Sequence, residues 1–309
     1  MKNFINLKDI PSKDLRKILN DARKRKNKRK KLSTLDVDKD RPLKGKLLIQ
    51  MYEKQSSRTR LSFHIAINQL GAGSIIVKAN ELHLGKGGES LADTAKILST
   101  YGDGFMLRTD SDKKIEDFSN NLSIPIINLL SPSSHPCQVL SDVFTIEEIK
   151  KKSISKLNIT WIGDSNNVLN SLIATSIKFK FKLNIGCPKN YRPPKFVMDW
   201  VKKNKRKINI YSDPRKAVKN ADVILSDKVV SLNDRVNKEK KIKDFKNYRI
   251  SSSLIKYAKK NVIFLHCLPR GNEVSEDVFL GNKSRVWQQA LNRVHVQKSI
   301  LLYCFGKLR

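Results

Sequence analysis

Between residues 46 and 265 the chain alternates short apolar runs of β character with amphipathic stretches of helical period. That alternation restricts the fold more than any other feature. Repeated strand–helix units close into parallel sheets faced by helices. Strands are expected at residues 46–52, 74–77, 105–107 and 124–130. After the first comes a helix with Leu61, Ile65 and Ala66 on one side, and after the second a helix over 90–101. A further helix runs from about residue 134 to the basic stop at Lys150, Lys151 and Lys152. A second series follows, with strands at 158–163, 183–185, 208–211, 223–225 and 262–265 and helices between most of them. Two series with a break predict two doubly wound parallel-sheet domains joined by long helices rather than one barrel. The last helical stretch, residues 285–305, is expected to pack back on the first domain. The boundaries drawn are 1–146 with 290–309 returning to it, and 147–289.

Composition bounds the alternatives. A chain of 309 residues holds two cores of ordinary size. No apolar run approaches the roughly 18–20 residues of a membrane span, and the first ten residues lack the apolar segment of a signal peptide. Four cysteines (Cys137, Cys187, Cys267 and Cys304) in a chain of this length do not make a disulfide framework. A cytoplasmic location is expected.

The formal charge of +33 raises the question of nucleic acid, most directly at residues 23–31. Lysine is nevertheless spread widely, with further clusters at 150–152, 202–207 and 238–246. No zinc-finger, RNA-recognition or homeodomain pattern accompanies it. The runs therefore read as solvated faces, and no specific nucleic-acid partner and no membrane partner is expected.

In open α/β sheets ligands sit beyond the carboxyl ends of the strands, so the residues after each strand carry the functional reading. Ser56, Ser57, Arg58, Thr59 and Arg60 follow the first strand at a helix N-terminus. There free amides, hydroxyls and guanidinium groups can cradle an oxyanion or phosphate; an ordinary helix start with surface arginines is the plainer alternative. Arg108 follows the third strand. His135 and Gln138 open the helix after the fourth, three apart and so on one face, where both could address a carbonyl. Asp164, Ser165, Asn166 and Asn167 follow the fifth strand, and Asp227, with Ser231 and Leu232 beyond it, a later one. His266, Cys267, Leu268, Pro269 and Arg270 follow the last. Cys267 could be a metal ligand, a nucleophile or a buried structural thiol. Without a nearby second cysteine, and with five histidines in all, no metal site is expected.

The strings S-S-R-T-R, H-P-C-Q, G-D-S-N-N, D-K-V-V-S-L and H-C-L-P-R, in this order and spacing, resemble the aspartate/ornithine carbamoyltransferase family. The resemblance spans nearly the whole chain, from Glu53-Lys54 to Leu291-Asn292-Arg293. H-C-L-P, where the aspartate branch has H-P-L-P, points to the ornithine branch. It implies a transferase that moves the carbamoyl group of carbamoyl phosphate to the δ-amine of L-ornithine, with no cofactor. By resemblance Ser56, Ser57, Arg58, Thr59, Arg108, His135, Gln138 and Arg293 bind carbamoyl phosphate. His83 would be contributed by a neighbouring subunit of a homotrimer. Asn167, Asp227, Ser231, Leu232, Cys267 and Leu268 would bind ornithine. Arg58, Arg108, His135, Asp227 and Cys267 would take part in the chemistry.

Four departures stand against the family pattern. Ser57 replaces a threonine, Leu232-Asn233 a Met-Gly pair, and Lys228-Val229 a pair ending in tryptophan; Ser165 stands where small or basic residues occur. The last three fall on the ornithine side, so another amine acceptor (putrescine or an acylated ornithine) stays open. A catalytically silent basic binding protein stays open as well.

Overall fold

The computed structural model describes residues 1–78, 88–230 and 237–308. They form two compact units, Met1–Phe144 with Ala290–Arg309, and Thr145–Gln289. Each is an α/β unit with its own parallel sheet.

The first unit opens with α1 (Ser12–Lys28). Then β1 (Leu47–Tyr52), α2 (Ser57–Gln69), β2 (Gly73–Lys78), α3 (Leu91–Tyr101), β3 (Gly104–Arg108), α4 (Asp112–Asn121) and β4 (Ile126–Leu130) follow. The strand order is β2-β1-β3-β4, all parallel. The chain winds outward from β1 to β2 and then crosses back to lay β3 on the other side of β1. The gap between the carboxyl ends of β1 and β3 is therefore the switch point at which such sheets bind ligands. One layer of core packs Ile49, Met51, Phe105 and Leu107 against Ala95, Leu98, Ile115 and Phe118, with the Phe105 and Phe118 rings 5.0 Å apart. At the far edge Phe4 bonds to both sides of Ile127: its N–H donates to the Ile126 carbonyl, and its own carbonyl accepts from Asn128, each at 2.9 Å.

Two helices, α5 (Pro136–Lys150) and α12 (Val286–Cys304), contain the boundary between the units. The final stretch of α12 packs into the first unit and is buried all round, including Asn292, Gln297, Lys298 and Ser299. A helix with no solvent face must satisfy its polar groups internally. Lys298 does so by donating to both oxygens of Asp38 (2.9 and 2.8 Å) and to Gln69 (3.2 Å). Ser299 donates to Asp21 at 2.6 Å.

The second unit runs β5 (Asn158–Ile162), α6 (Asn167–Phe179), β6 (Lys182–Gly186), α7 (Lys195–Lys203), β7 (Asn209–Tyr211), α8 (Pro214–Val218), β8 (Val223–Ser226), α9 (Lys238–Phe245), α10 (Ser252–Ile255), β9 (Ile263–His266) and α11 (Glu276–Leu280). Its sheet has the order β7-β6-β5-β8-β9, again all parallel, so the switch point lies between β5 and β8. Ile162, Ile224 and Phe264 pack beneath Phe245, Tyr248, Leu254 and Phe279 to form its core.

Two expectations need correction. Leu61 is exposed, because α2 buries Phe63, Ala66 and Ile67 instead. The register of the helix, not the presence of a leucine, decides which residue faces the sheet. The basic clusters are also not uniformly solvated. Arg29 and Lys241 are buried, Arg29 bonding Asp38 at 2.7 Å and Lys241 pairing with Asp164 at 2.6 Å. A buried cation is tolerated only with such a partner.

Candidate active site

In the first unit the switch point is lined with cations. The N–H of Glu53 donates to the carbonyl of Arg108 at 3.0 Å, tying the segment after β1 to the end of β3. Thr109 and Lys114 both bond the Glu53 carboxylate. The Ser56 side chain does not cap α2; its oxygen accepts from Arg108 Nη1 at 3.1 Å. The β3–β4 register shifts between Leu107 and Arg108, a local irregularity of the kind that re-aims a side chain. Arg108 Nε is buried with no partner among the described residues.

From α12, Arg293 spans the site. It donates to Gln138 Oε1 at 2.8 Å and to Thr59 Oγ1 at 2.7 Å, joining the first turns of α2 and α5. Gln138 is fixed from its other end, where Nε2 donates to Asp142 at 2.8 Å. His135 is buried. Burial, reinforced by the positive charges of Arg293, Arg108 and Arg58, pushes its imidazole well below the ordinary value. The same burial and the charge of Arg293 lower Arg108. His135 is consequently neutral at pH 7, and three guanidinium groups share one small region. An anion relieves that mutual repulsion, and a neutral imidazole beside it can donate a hydrogen bond to a carbonyl oxygen.

In the second unit Gly163, at φ +147°, makes the turn out of β5 in a conformation that side chains disfavour. Asn166 then caps α6, its Oδ1 accepting from Val168 and Leu169 at 3.0 and 3.1 Å. Its Nδ2 donates to Asp227 Oδ2 at 2.9 Å, so β5 and β8 are clamped at their carboxyl ends. Asp227 keeps some surface open, yet burial raises its carboxyl above the usual range. After β9 the chain turns through Leu268 at φ +54°, a left-handed conformation costly for leucine. His266 Nδ1 accepts from the Leu268 N–H at 2.9 Å, which leaves Nε2 to donate to Glu273 at 3.1 Å. The Cys267 N–H donates to Ser226 O at 3.3 Å. Half-buried Cys267 and Leu268 are thereby held at the end of the strand next to Asp227's own.

The structure therefore brings together two bonded sets in the first unit, Ser56 with Arg108 and Thr59 and Gln138 with Arg293, and the charges of Arg108 and Arg293 act on each other. Arg58 and His135 share their electrostatic field, and Ser57 forms the first residue of α2. In the second unit Asn167, Asp227, Cys267 and Leu268 lie at the ends of β5, β8 and β9. His83, Ser231 and Leu232 lie outside the described residues. Sequence reasoning passed over Asp142, Lys241, Glu273 and the particular duty of Asn166. Only Asn166 left a signal, as an asparagine at a helix N-cap. Among the described residues no group of three or more His, Cys, Asp or Glu side chains is arranged to hold a metal ion.

Two family models divide the chain much as the two sheets do. The carbamoyl-phosphate-binding domain of aspartate/ornithine carbamoyltransferases matches residues 2–148, and the Asp/Orn-binding domain matches residues 155–304. The chain belongs to the aspartate/ornithine carbamoyltransferase family. It is 40% identical over 307 residues to the ornithine carbamoyltransferase of Rhodopseudomonas palustris, covering 99% of this chain and 97% of that one. It is 39% identical to that of Ruthia magnifica, covering 98% and 99%. Among solved structures, the ornithine carbamoyltransferase of Pyrococcus furiosus superposes with a TM-score of 0.91 at 36% identity, covering 100% of this chain and 98% of the other. The anabolic enzyme of Campylobacter jejuni gives 0.89 at 34%, covering 99% and 100%. Both switch points thus carry the motifs on which the family resemblance rests.

Proposed function

We propose that this protein is a transferase that moves the carbamoyl group of carbamoyl phosphate to the δ-amine of L-ornithine, giving L-citrulline and phosphate. The observation that carries the reading is the cluster of Arg58, Arg108 and Arg293 around a neutral His135 at the switch point of the first sheet. A dianionic phosphate suits the guanidinium groups and the first turn of α2, with Ser56, Ser57 and Thr59 as further donors. The carbonyl oxygen suits Arg108, His135 and the amide of Gln138. When the amine attacks, the new C–N bond forms and that oxygen gains charge; donors already aimed at it are worth a few kcal/mol apiece. The tetrahedral centre collapses by breaking the bond to the phosphate oxygen; the proton shed by the attacking nitrogen passes to the departing phosphate, and Arg58 stabilises that anion.

The amine poses the harder problem. An alkylammonium with a pKa near 10.4 costs about 4–5 kcal/mol to deprotonate at pH 7. Asp227 attracts the ammonium form and orients the nitrogen once the proton is lost, with Cys267 beside it. Asn167, with Ser231 and Leu232, is assigned to the amino-acid head and stem. Aspartate enzymes of the family carry arginines at the positions of Asn167 and Asp227. With an amide and an acid there instead, aspartate is expected to be rejected. Two carboxylates about 4 Å apart repel by roughly 4 kcal/mol at an effective dielectric of 20.

Edge strand β2 exposes Ile75 (50%) and Ile76 (40%), and neighbouring α2 exposes Leu61 (58%). An apolar edge strand of this kind is normally covered, which supports self-association through this side of the first unit; the family resemblance makes the assembly a homotrimer or a multiple of trimers. We assign the protein to the cytoplasm and to arginine biosynthesis. No helix among the described residues is long and apolar enough to cross a membrane.

The test is citrulline-type product formation from carbamoyl phosphate against ornithine, putrescine, N-acetylornithine and aspartate. Ornithine should exceed aspartate by at least about three orders of magnitude in kcat/KM. Comparable use of aspartate, or a faster reaction with another amine, would overturn the assignment of the acceptor.

A further inference from the structure

Two carboxylates stand at the switch point of the second sheet, Asp164 after β5 and Asp227 after β8, on strands that pair directly. Both could attract a cationic amine, but their surroundings differ. Asp227 Oδ2 accepts from the neutral amide of Asn166 at 2.9 Å, and Asp227 makes no ion pair among the described residues. Asp164 is paired with Lys241 of α9, whose Nζ lies 2.6 Å from Oδ2; only 3% of the Lys241 side chain is exposed.

The pair is built in from several sides. The Lys241 ammonium also lies 5.9 Å from the centre of the Tyr191 ring. Tyr191 donates to Asp244, on the same helix, at 3.0 Å and packs its ring against Phe245 at 4.8 Å. On the other side, the carbonyl of Asp164 accepts from Trp161 Nε1 at 3.1 Å. Lysine is almost never fully buried without such a partner. In a run otherwise rich in exposed lysines, this one is spent on the aspartate two residues before Asn166.

We infer that Lys241 is a positioning residue that also sets specificity: it neutralises Asp164, so that Asp227 is the carboxylate that receives the amine. This rests on the functional reading above. It assigns to α9 a duty in acceptor recognition that does not involve touching substrate. Removing the cation leaves a second negative centre one strand away from Asp227. The ammonium is then drawn between two sites, and the turn carrying Asn166 and Asn167 is loosened.

The experiment compares Lys241→Met, Lys241→Arg and the double variant Lys241→Met with Asp164→Asn, using steady-state citrulline formation with each substrate varied. Lys241→Met retains most of the apolar stem and loses the ammonium, its charge and its bond to Asp164 together. It should raise the KM for ornithine by tenfold or more, each tenfold being about 1.4 kcal/mol, and leave the KM for carbamoyl phosphate unchanged. Lys241→Arg should restore the parental value. The double variant, whose pair is neutral, should recover most of the ornithine KM even where it is less stable, because the stray charge is gone. An unchanged ornithine KM in Lys241→Met, or a double variant no better than the single, would overturn the inference while parental citrulline formation leaves the functional reading intact. Parent protein that forms no citrulline would overturn both.

Discussion

Replacing Asp227 by asparagine isolates the charge on which the proposed acceptor recognition rests. Asn166 Nδ2 donates to Asp227 Oδ2 at 2.9 Å, and an asparagine carbonyl oxygen can accept that bond in the same place. The clamp between β5 and β8 survives, and the negative charge is lost. An ammonium about 4 Å from the carboxylate gains roughly 4 kcal/mol at an effective dielectric of 20, and about half that where water screens the pair more fully. Asp227 is partly open, so a loss of ~2–4 kcal/mol is expected, or about 30- to 1000-fold in kcat/KM for ornithine. The pH profile should change with it. Burial holds the Asp227 carboxyl above its usual range, so protonation begins at a higher pH than for a solvated acid. The parent should lose ornithine affinity as pH falls through that raised value, and the variant should lack this acid limb. The assay is initial-rate citrulline formation with ornithine varied at saturating carbamoyl phosphate, from pH 5 to 9, with thermal melts alongside. A variant whose ornithine kcat/KM stays within threefold of the parent, or that keeps the acid limb unchanged, refutes the reasoning.

Arg58→Gly should lower kcat by about 10²–10³-fold in a protein that still folds; near-parental turnover would remove Arg58 from the chemistry. Asp38→Ala should cost about 3–5 kcal/mol of stability at pH 7, read by denaturant titration, because it strips the buried Lys298 of both its bonds to a carboxylate. Burial already lowers Lys298 from 10.5 to about 8. Between those values the unfolded chain binds a proton that the folded chain does not, so raising the pH through this window stabilises the fold. Without Asp38 the buried Lys298 loses its proton at a still lower pH, so the variant's deficit should shrink as the pH rises towards 8 and stay level above it; a deficit that widens over this range would contradict the assignment. Ile76→Lys should shift the protein towards smaller species in light scattering coupled to size-exclusion chromatography; an unaltered assembly would place the subunit interface elsewhere.

Periodicity was enough to read the architecture. Parallel strands buried on both faces are short apolar runs, and β1, β3, β4, β5 and β8 stand out for that reason. The motifs at their carboxyl ends were legible too, because a doubly wound sheet delivers ligands there, and the residue types at those ends are chemically unusual for surface turns. What periodicity could not reach were long-range pairings. Arg293 lies 155 residues from Gln138 and 234 from Thr59, and only the return of α12 to the first unit makes the three a relay. Lys298 reaches Asp38 across 260 residues for the same reason. Lys241 read as one more solvated lysine, since a basic run looks alike whether it faces water or an acid on another element. Leu61 read as core, because a one-residue error in helix register turns a side chain through about 100°.

The residue types and their order along the chain determined the two sheets and the chemistry at the strand ends, since both follow from local pattern. Which cation meets which carboxylate, and so which charges remain for a substrate, was decided by tertiary structure alone. Burial and partner choice belong to the packed units, not to any segment of the chain.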